Sequence, residues 1–127
     1  MDGLALILCH KQATSARLRF ARFGDSVIAV RLPATGGAIP HPGALLPSAA
    51  SFSGIAPGDL RLDPDFEAPL LAPGGAVCVR LAEITTIDPP FDALQGANGR
   101  FITLTEIRGL PDTERDVLRL VYEHMIG

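Results

Sequence analysis

The side chains that could do chemistry in this 127-residue sequence are few and scattered. Nucleophilic catalysis needs a nucleophile beside a base that a third group orients. Cys9, Cys78 and the serines of a Pro-rich segment are the candidate nucleophiles, and the three histidines are the candidate bases. No local motif such as Gly-x-Ser-x-Gly marks any of them. We therefore predict no catalytic residue, and the pattern leans against an enzyme.

Residues that could bind a metal ion are equally dispersed. Cys9 and His10 are neighbours on a predicted strand, so their side chains point to opposite faces. His41 lies between two prolines, in a rigid and exposed setting. One loop carries three alternating carboxylates, Asp63, Asp65 and Glu67. Because no glycine-containing calcium loop surrounds them, we interpret them as a solvated acidic loop. We predict no metal and no cofactor.

Charge and hydropathy exclude several classes of function. The net charge is −3, without a long run of either sign, which argues against binding of nucleic acid. No apolar run is long enough for a membrane span, and the N-terminus lacks the basic start of a secretory signal. We expect a cytoplasmic protein in which Cys9 and Cys78 are buried free thiols. A disulfide between them is the alternative.

The elements that must position these residues are mainly strands. Alternating or continuous apolar runs predict strands at 4–9, 16–23, 26–32, 76–84 and 101–105. A Pro/Gly-rich segment at 33–75 separates them, and we expect extended loop there with short strands near 43–46 and 60–62. The chain therefore predicts one β-rich domain over residues 1–127.

The C-terminal end contains the clearest helical pattern in the chain. A Gly-Leu-Pro-Asp turn follows the last strand, and Asp112 and Glu114 place negative charge where a helix dipole is positive. The apolar stripe consists of Leu118, Val121, Tyr122 and Met125. We predict that this amphipathic helix packs on the sheet. The fold class is mainly β, within α+β: a small antiparallel barrel or sandwich with one C-terminal helix.

The order of these elements resembles the PilZ domain family. Residues 101–127 look like its last barrel strand, turn and Glu/Arg-rich helix, and residues 32–39 resemble its D/N-x-S-x-x-G region. The cluster of Arg17, Arg19 and Arg22 stands where the family has R-x-x-x-R. The resemblance implies a six-stranded barrel and cyclic di-GMP as a ligand, with those arginines, Gly36 and Gly37 as its binding residues. Bidentate arginine contacts suit phosphate and guanine.

The leading functional hypothesis is a non-enzymatic regulatory or adaptor domain that acts through protein contacts. Members of the family without the arginine motif act in this way, and the spacing here differs from that motif. The partner is an unidentified protein or a second copy of the chain, and Phe52, Ile55 and Phe66 are its candidate contacts. The alternatives are a cyclic di-GMP sensor, a structural subunit of an assembly, and a small barrel enzyme using His10 or His41 with the 63–67 carboxylates.

Overall fold

Two long strands run side by side through the centre of the molecule. The computed structural model describes residues 2–72 and 75–127, which form strands and helices as follows. The strands are β1 (Gly3–Lys11), β2 (Leu18–Phe23), β3 (Ile28–Pro33), β4 (Leu60–Leu62), β5 (Ala68–Ala72), β6 (Gly75–Ile84) and β7 (Gly99–Ile102). The helices are α1 (Leu45–Ser53), α2 (Phe91–Gly96) and α3 (Asp112–Ile126). The central pair, β1 and β6, is parallel.

Shorter antiparallel strands flank the central pair. On the outer side of β1, β2 pairs with its C-terminal part and β3 with its N-terminal part. On the outer side of β6, β4 pairs with its C-terminal part and β5 with its N-terminal part. Strand β7 extends the sheet beyond β2. The main order is therefore β4-β6-β1-β2-β7, with β3 and β5 off this path.

Helices cover both faces of this sheet. The side chains of Ile7 and Leu81 join α3 in one core, whereas Leu6 and Leu8 join α1 and α2 in the other. Successive residues of β1 are therefore buried on opposite faces, which explains its continuous apolar sequence. The architecture has three layers, with the sheet in the middle. Every helix in the described part of the chain is too short or too polar to cross a membrane.

The prediction of a mainly β, α+β chain with a C-terminal helix is confirmed, but the antiparallel barrel or sandwich is wrong. The central strands are parallel, and the sheet remains open over the described residues. The long connection between β1 and β6 permits parallel pairing, which a short hairpin loop does not. A sandwich needs a second sheet on the first, but helices occupy both faces here.

The Pro/Gly-rich segment is more ordered than predicted. The strand near 60–62 is confirmed as β4, but residues 43–46 belong to a 3-10 turn and the start of α1. Pro42 opens the 3-10 turn and Pro47 lies in the first turn of α1, where backbone amides have no helical partner to lose. Strand β5 was not predicted. Pro73 and Gly74 lie outside the described residues.

The last predicted strand is shorter than expected. Strand β7 ends at Ile102, and Leu104–Glu106 form a 3-10 turn. The Thr103 backbone amide donates to the Glu106 carboxylate at 2.9 Å, which supports this turn. The β-propensity of the Thr-Leu-Thr sequence was therefore outweighed by local capping of the turn.

Helix α3 is confirmed, and Leu118 and Val121 are buried against the sheet. The first turn is anchored by Glu114, a buried residue whose carboxylate accepts hydrogen bonds from the Ser26 hydroxyl and the Val27 amide at 3.0 and 2.7 Å. Tyr122, expected in the apolar stripe, is 40% exposed. The buried stripe of α3 therefore consists of Val117, Leu118 and Val121, together with the polar residue Glu114.

We expect Leu118→Ala to lower the free energy of unfolding by about 2–5 kcal/mol, because it empties a fully buried site. Leu120→Ala is the matched control on the same helix, since Leu120 is 46% exposed, and it should change stability by less than about 0.5 kcal/mol. Urea denaturation followed by circular dichroism measures both. Equal losses in the two variants would contradict the placement of α3 on the sheet.

Candidate functional site

The largest described depression lies between the β1–β2 turn, the 3-10 turn after β7 and the C-terminal half of α3. It encloses about 540 Å³. We call it the basic groove and define it by Lys11, Arg17, Thr103, Leu104, Thr105 and Tyr122. Two cations, two hydroxyls and an aromatic ring thus surround one opening. Such a set suits an anionic ligand that also carries an apolar or aromatic part.

The backbone positions the two cations of the basic groove. Lys11 ends β1, and its ammonium donates to the carbonyl of Met125, near the C-terminus of α3, at 3.1 Å. Arg17 follows Ala16, whose φ of 54° is in the left-handed region that a residue with a Cβ seldom adopts. Backbone strain of this kind is often found at functional sites. Within residues 2–72 and 75–127, neither cation forms an ion pair.

One carboxylate lies near this groove and is held in its charged form. Hydrogen bonds from the Thr103 amide and the Thr103 hydroxyl lower the pKa of Glu106, and the nearby charges of Arg100 and Arg17 lower it further. The two hydrogen bonds from Thr103 are the larger cause of this lowered pKa, and the charges of both guanidinium groups act on the same carboxyl group. The corner of the molecule around the 3-10 turn therefore has positive charge on two sides.

A second surface lies on the opposite face of the sheet, beside α2. We call it the aromatic surface and define it by Arg19, Phe91, Gln95, Arg100 and Phe101. The last four of these residues line a depression of about 360 Å³ with Gly99. Phe91 and Phe101 meet edge to face, with ring centroids 5.6 Å apart, and the Arg19 guanidinium lies 5.7 Å from the centre of the Phe91 ring.

The structure does not bring the three predicted ligand arginines together. Arg17 lines the basic groove, while Arg19 lies on the other face of the sheet, against Phe91. Arg22 is buried, and its guanidinium donates to the carbonyls of Gly24 and Arg108 at 2.8 and 3.0 Å. Alternation along β2 places Arg19 and Arg22 on opposite faces, whereas Arg17 precedes the strand and follows the turn residue Ala16. Arg22 has a structural role.

The predicted ligand glycines form a turn at some distance along the chain from these arginines. Gly36 and Gly37 have φ of 59° and 81°, and Thr35 and Ala38 pair across them. A two-residue hairpin turn of this type requires positive φ at both central positions, which glycine provides without strain. Both residues therefore have a structural role in the turn.

The candidate partner contacts differ in exposure. Phe52 is 48% exposed and packs on Phe23, with ring centroids 4.8 Å apart. Ile55 and Phe66 are buried in the two cores of the domain. The last two side chains therefore cannot form a surface contact while the domain is folded. Ile55 and Phe66 are apolar residues of the Pro-rich segment that the fold buries.

The carboxylates of the acidic loop and its neighbouring strands have protein partners. The Asp63 carboxylate accepts hydrogen bonds from the Asp65 and Phe66 amides, and lies 2.8 Å from a ring nitrogen of His124. Glu67 pairs with Arg80 at 3.6 Å. Glu83 accepts a 2.6 Å bond from Arg61 across β4 and β6. Asp63 is thus held against α3, whereas Asp65 and Glu67 are exposed, so the interpretation as a solvated acidic loop holds for two of the three carboxylates.

These carboxylates do not fit a protein-bound divalent cation, which proteins hold through converging carboxylate and carbonyl oxygens. Among residues 2–72 and 75–127, no three His, Cys, Asp or Glu side chains converge on one point. Helix α1 contains neither aspartate nor glutamate.

The cysteines and histidines do not form a catalytic group. Burial raises the pKa of the Cys9 thiol, which keeps it protonated and unreactive. Cys9 and Cys78 are both free. Cys78 lies opposite Leu4 in the pairing of β6 with β1, so five residues, about 16 Å of strand, separate it from Cys9. The alternative of a disulfide is therefore excluded.

The histidines proposed for a small barrel enzyme have other partners. His10 is fully buried, with Nε2 2.7 Å from the Thr86 carbonyl. The Nδ1 atom of His41 accepts from the Gly43 amide at 3.0 Å at the start of a 3-10 turn. The histidine that meets the acidic loop is instead His124, from α3. The proposed combination of His10 or His41 with this loop is not formed.

Comparison with known structures shows which fold this is. The crystal structure of C. elegans Ap4A hydrolase matches with a TM-score of 0.67 over 98% of this chain and 98% of that chain, at 16% identity. The Nudix hydrolase RenU from M. smegmatis matches with a TM-score of 0.54 over 95% of this chain and 85% of that chain, at 14% identity. The fold is that of Nudix hydrolases. No protein-family model and no curated protein sequence matches the chain.

The Nudix hydrolase fold overturns the leading functional hypothesis. Both structural neighbours are hydrolases, so they point to an enzymatic function and not to a non-enzymatic adaptor that acts through protein contacts. The hypothesis relied on the absence of a catalytic motif and on apolar residues in the Pro-rich segment, several of which are core residues. The comparisons do not test the PilZ resemblance or cyclic dinucleotide binding, which stay predictions.

Several residues of the two surfaces were missed by sequence reasoning. Lys11, Tyr122, Phe91 and Phe101 come from four separate elements and share no local motif. One signal was available: Ile87 and Phe91 lie on either side of Asp88-Pro89-Pro90, and neither belongs to a helical or strand period that would bury it. Both proved to be more than half exposed.

We expect that titration of the protein with Mg²⁺ or Mn²⁺ in the absence of nucleotide gives no saturable heat in calorimetry at millimolar metal. The reason is that no three His, Cys, Asp or Glu side chains of the described residues converge on one point. A nucleotide-free protein that binds one ion per chain below about 0.1 mM, within the affinity range of dedicated protein sites, would contradict this assignment.

We also expect acid to remove the stability that Asp63 provides. Burial tends to raise the pKa of this carboxyl group, but hydrogen bonds from His124 and from the Asp65 and Phe66 amides lower it overall. Its contribution is therefore complete above its unfolded pKa of about 4 and is lost as pH falls through the lower folded value. Asp63→Asn should be less stable at pH 7 and show a flatter decline below pH 4.

Urea midpoints measured from pH 7 to pH 2 test this expectation. Asp65→Asn is the control, because the Asp65 side chain is exposed on the same loop. Parallel pH curves for the wild type and the Asp63→Asn variant would show that Asp63 makes no such contribution.

Proposed function

We propose that this protein hydrolyses a phosphate-bearing nucleotide. The observation that carries the proposal is the match of its fold, over 98% of both chains, to the Ap4A hydrolase of C. elegans. In the proposed reaction a water oxygen bonds to phosphorus, and the bond from that phosphorus to the bridging oxygen breaks. The bridging oxygen leaves with the electron pair, and the proton of the water passes to solvent or to a product phosphate. No oxidant or reductant is needed.

The basic groove supports the phosphate part of this proposal. Lys11 and Arg17 bring two positive charges to one opening, and Thr103 and Thr105 add hydroxyls that can donate to phosphate oxygens. These side chains can offset part of the charge of a polyphosphate. The cation of Lys11 is already oriented by the Met125 carbonyl.

The free thiols support the cytoplasm as the proposed location. Cys9 and Cys78 are both unpaired. Free cysteines are typical of compartments in which thiols are kept reduced. A nucleotide substrate is compatible with that compartment.

Incubation of the purified protein with Ap4A, followed by anion-exchange separation of the nucleotides, tests the proposed reaction. We expect products above the rate in a blank without protein. The double substitution of Lys11→Ala and Arg17→Ala should lower kcat/KM by about tenfold or more, because each charge-assisted hydrogen bond contributes about 1.5–3 kcal/mol. Arg31→Ala is the matched control, since Arg31 is exposed on β3, outside the basic groove.

Ap4A and ATP that persist unchanged at high protein concentration would overturn the proposed reaction. If the double variant turns over substrate as fast as the wild type, the proposed reaction stands, but the basic groove has no part in it. Cyclic di-GMP, the ligand implied by the PilZ resemblance, is a useful third nucleotide in the same assay.

A further inference from the structure

The aromatic surface contains a phenylalanine side chain that is unusually exposed to solvent. Phe91 is 54% exposed at the first position of α2, although phenylalanine is normally buried. Its ring is not loose, because the edge-to-face contact with Phe101 holds one side and the Arg19 guanidinium lies over it. A fixed aromatic ring with an accessible depression beside it is suited to stacking with a planar ligand.

Polar groups around the ring could recognise such a ligand. Gln95 lies one helical turn after Phe91, and its amide can both donate to and accept from the edge of a base. Arg100 lines the same depression from the edge strand β7. Its side chain alternates with that of Phe101 and leaves β7 on the other face, so its exposed guanidinium can bind a phosphate at the strand edge. The adjacent carboxylate in the sequence, Asp92, lines a different depression against α1. The surface thus combines one stacking ring with one amide and one cation.

We propose that the aromatic surface binds the nucleobase of the phosphate-bearing nucleotide, with the base stacked on Phe91 and the first phosphates directed toward Arg100. This inference rests on the proposed function and names the part of the molecule that distinguishes a nucleotide from a simple polyphosphate. It assigns separate tasks to the two faces. The aromatic surface recognises the base, and the basic groove meets more distant phosphates.

The electrostatics of the corner between the two surfaces support this division. Arg100 lines the depression of the aromatic surface, and Arg17 lines the basic groove. Both are near enough to Glu106 to lower its pKa. Arg100 and Arg17 therefore supply one cation beside each surface, with the Glu106 carboxylate near both. A polyphosphate attached to a base on Phe91 would meet Arg100 first and Arg17 beyond it.

Calorimetric titration with two probes, ATP and inorganic tripolyphosphate, separates base recognition from phosphate recognition. Tripolyphosphate has the phosphates of ATP but no base. We expect Phe91→Leu to weaken ATP binding by about tenfold, since stacking on an aromatic ring is lost while the apolar volume is largely kept. Binding of tripolyphosphate should change by less than about twofold, because Arg100 and the basic groove are untouched.

Phe52→Leu is the matched control. Phe52 is a second phenylalanine with about half of its surface exposed, at 48%, and it does not line the depression of the aromatic surface. It should leave the affinity for both probes unchanged. An Arg19→Gln variant adds a test of ring orientation and should weaken ATP binding more than tripolyphosphate binding. Thermal unfolding of each variant checks that the fold is kept.

The outcomes distinguish this inference from the proposed function. If the wild type binds ATP and Phe91→Leu binds it equally well, the nucleobase site is overturned while the hydrolase proposal stands. The same follows if Phe91→Leu weakens both probes to the same degree. If the wild type binds neither ATP nor Ap4A and cleaves neither, the proposed function fails and this inference fails with it.

Discussion

The parallel pairing of β1 with β6 is the constraint on which the rest of the structure depends. A parallel pair needs a long connection, and the 63 residues between these two strands supply it together with four further strands and α1. Because both faces of β1 are apolar, helices must cover both sides of the sheet. The two surfaces with positive charge then lie on opposite faces near the outer edge, at β2 and β7, where covering helices leave openings.

The charged residues are divided between structure and surface by this arrangement. Glu114 anchors α3, and the carboxylates of the acidic loop hold backbone amides, His124 or arginine. Arginines near the edge strand, such as Arg17 and Arg100, remain exposed. A chain with a net charge of −3 can therefore present positive charge locally. Overall charge argued against a role in binding nucleic acid, but it could not reveal a local site for a small anion.

Helix α1 contains no carboxylate. It reads Leu-Leu-Pro-Ser-Ala-Ala-Ser-Phe-Ser, packs Leu45, Ala49 and Ala50 into the core, and presents Ser51 and Phe52 outward. Such a helix stabilises the fold without offering ligands to a metal ion. The hydrolase fold and the site chemistry are thus separate properties, because a fold constrains backbone positions and leaves exposed side chains free to vary.

The sequence by itself determined the strands β1, β2, β3 and β6, the helix α3 and its apolar stripe, because their hydrophobic periods are local. It also indicated that the Pro-rich segment had to bury apolar residues. Only the tertiary structure decided that β1 and β6 pair in parallel, that residues 45–53 are a helix, and that Arg17 and Arg19 lie on opposite faces. Strand order and the meeting of Phe91 with Phe101 depend on contacts between distant residues, which no local pattern encodes.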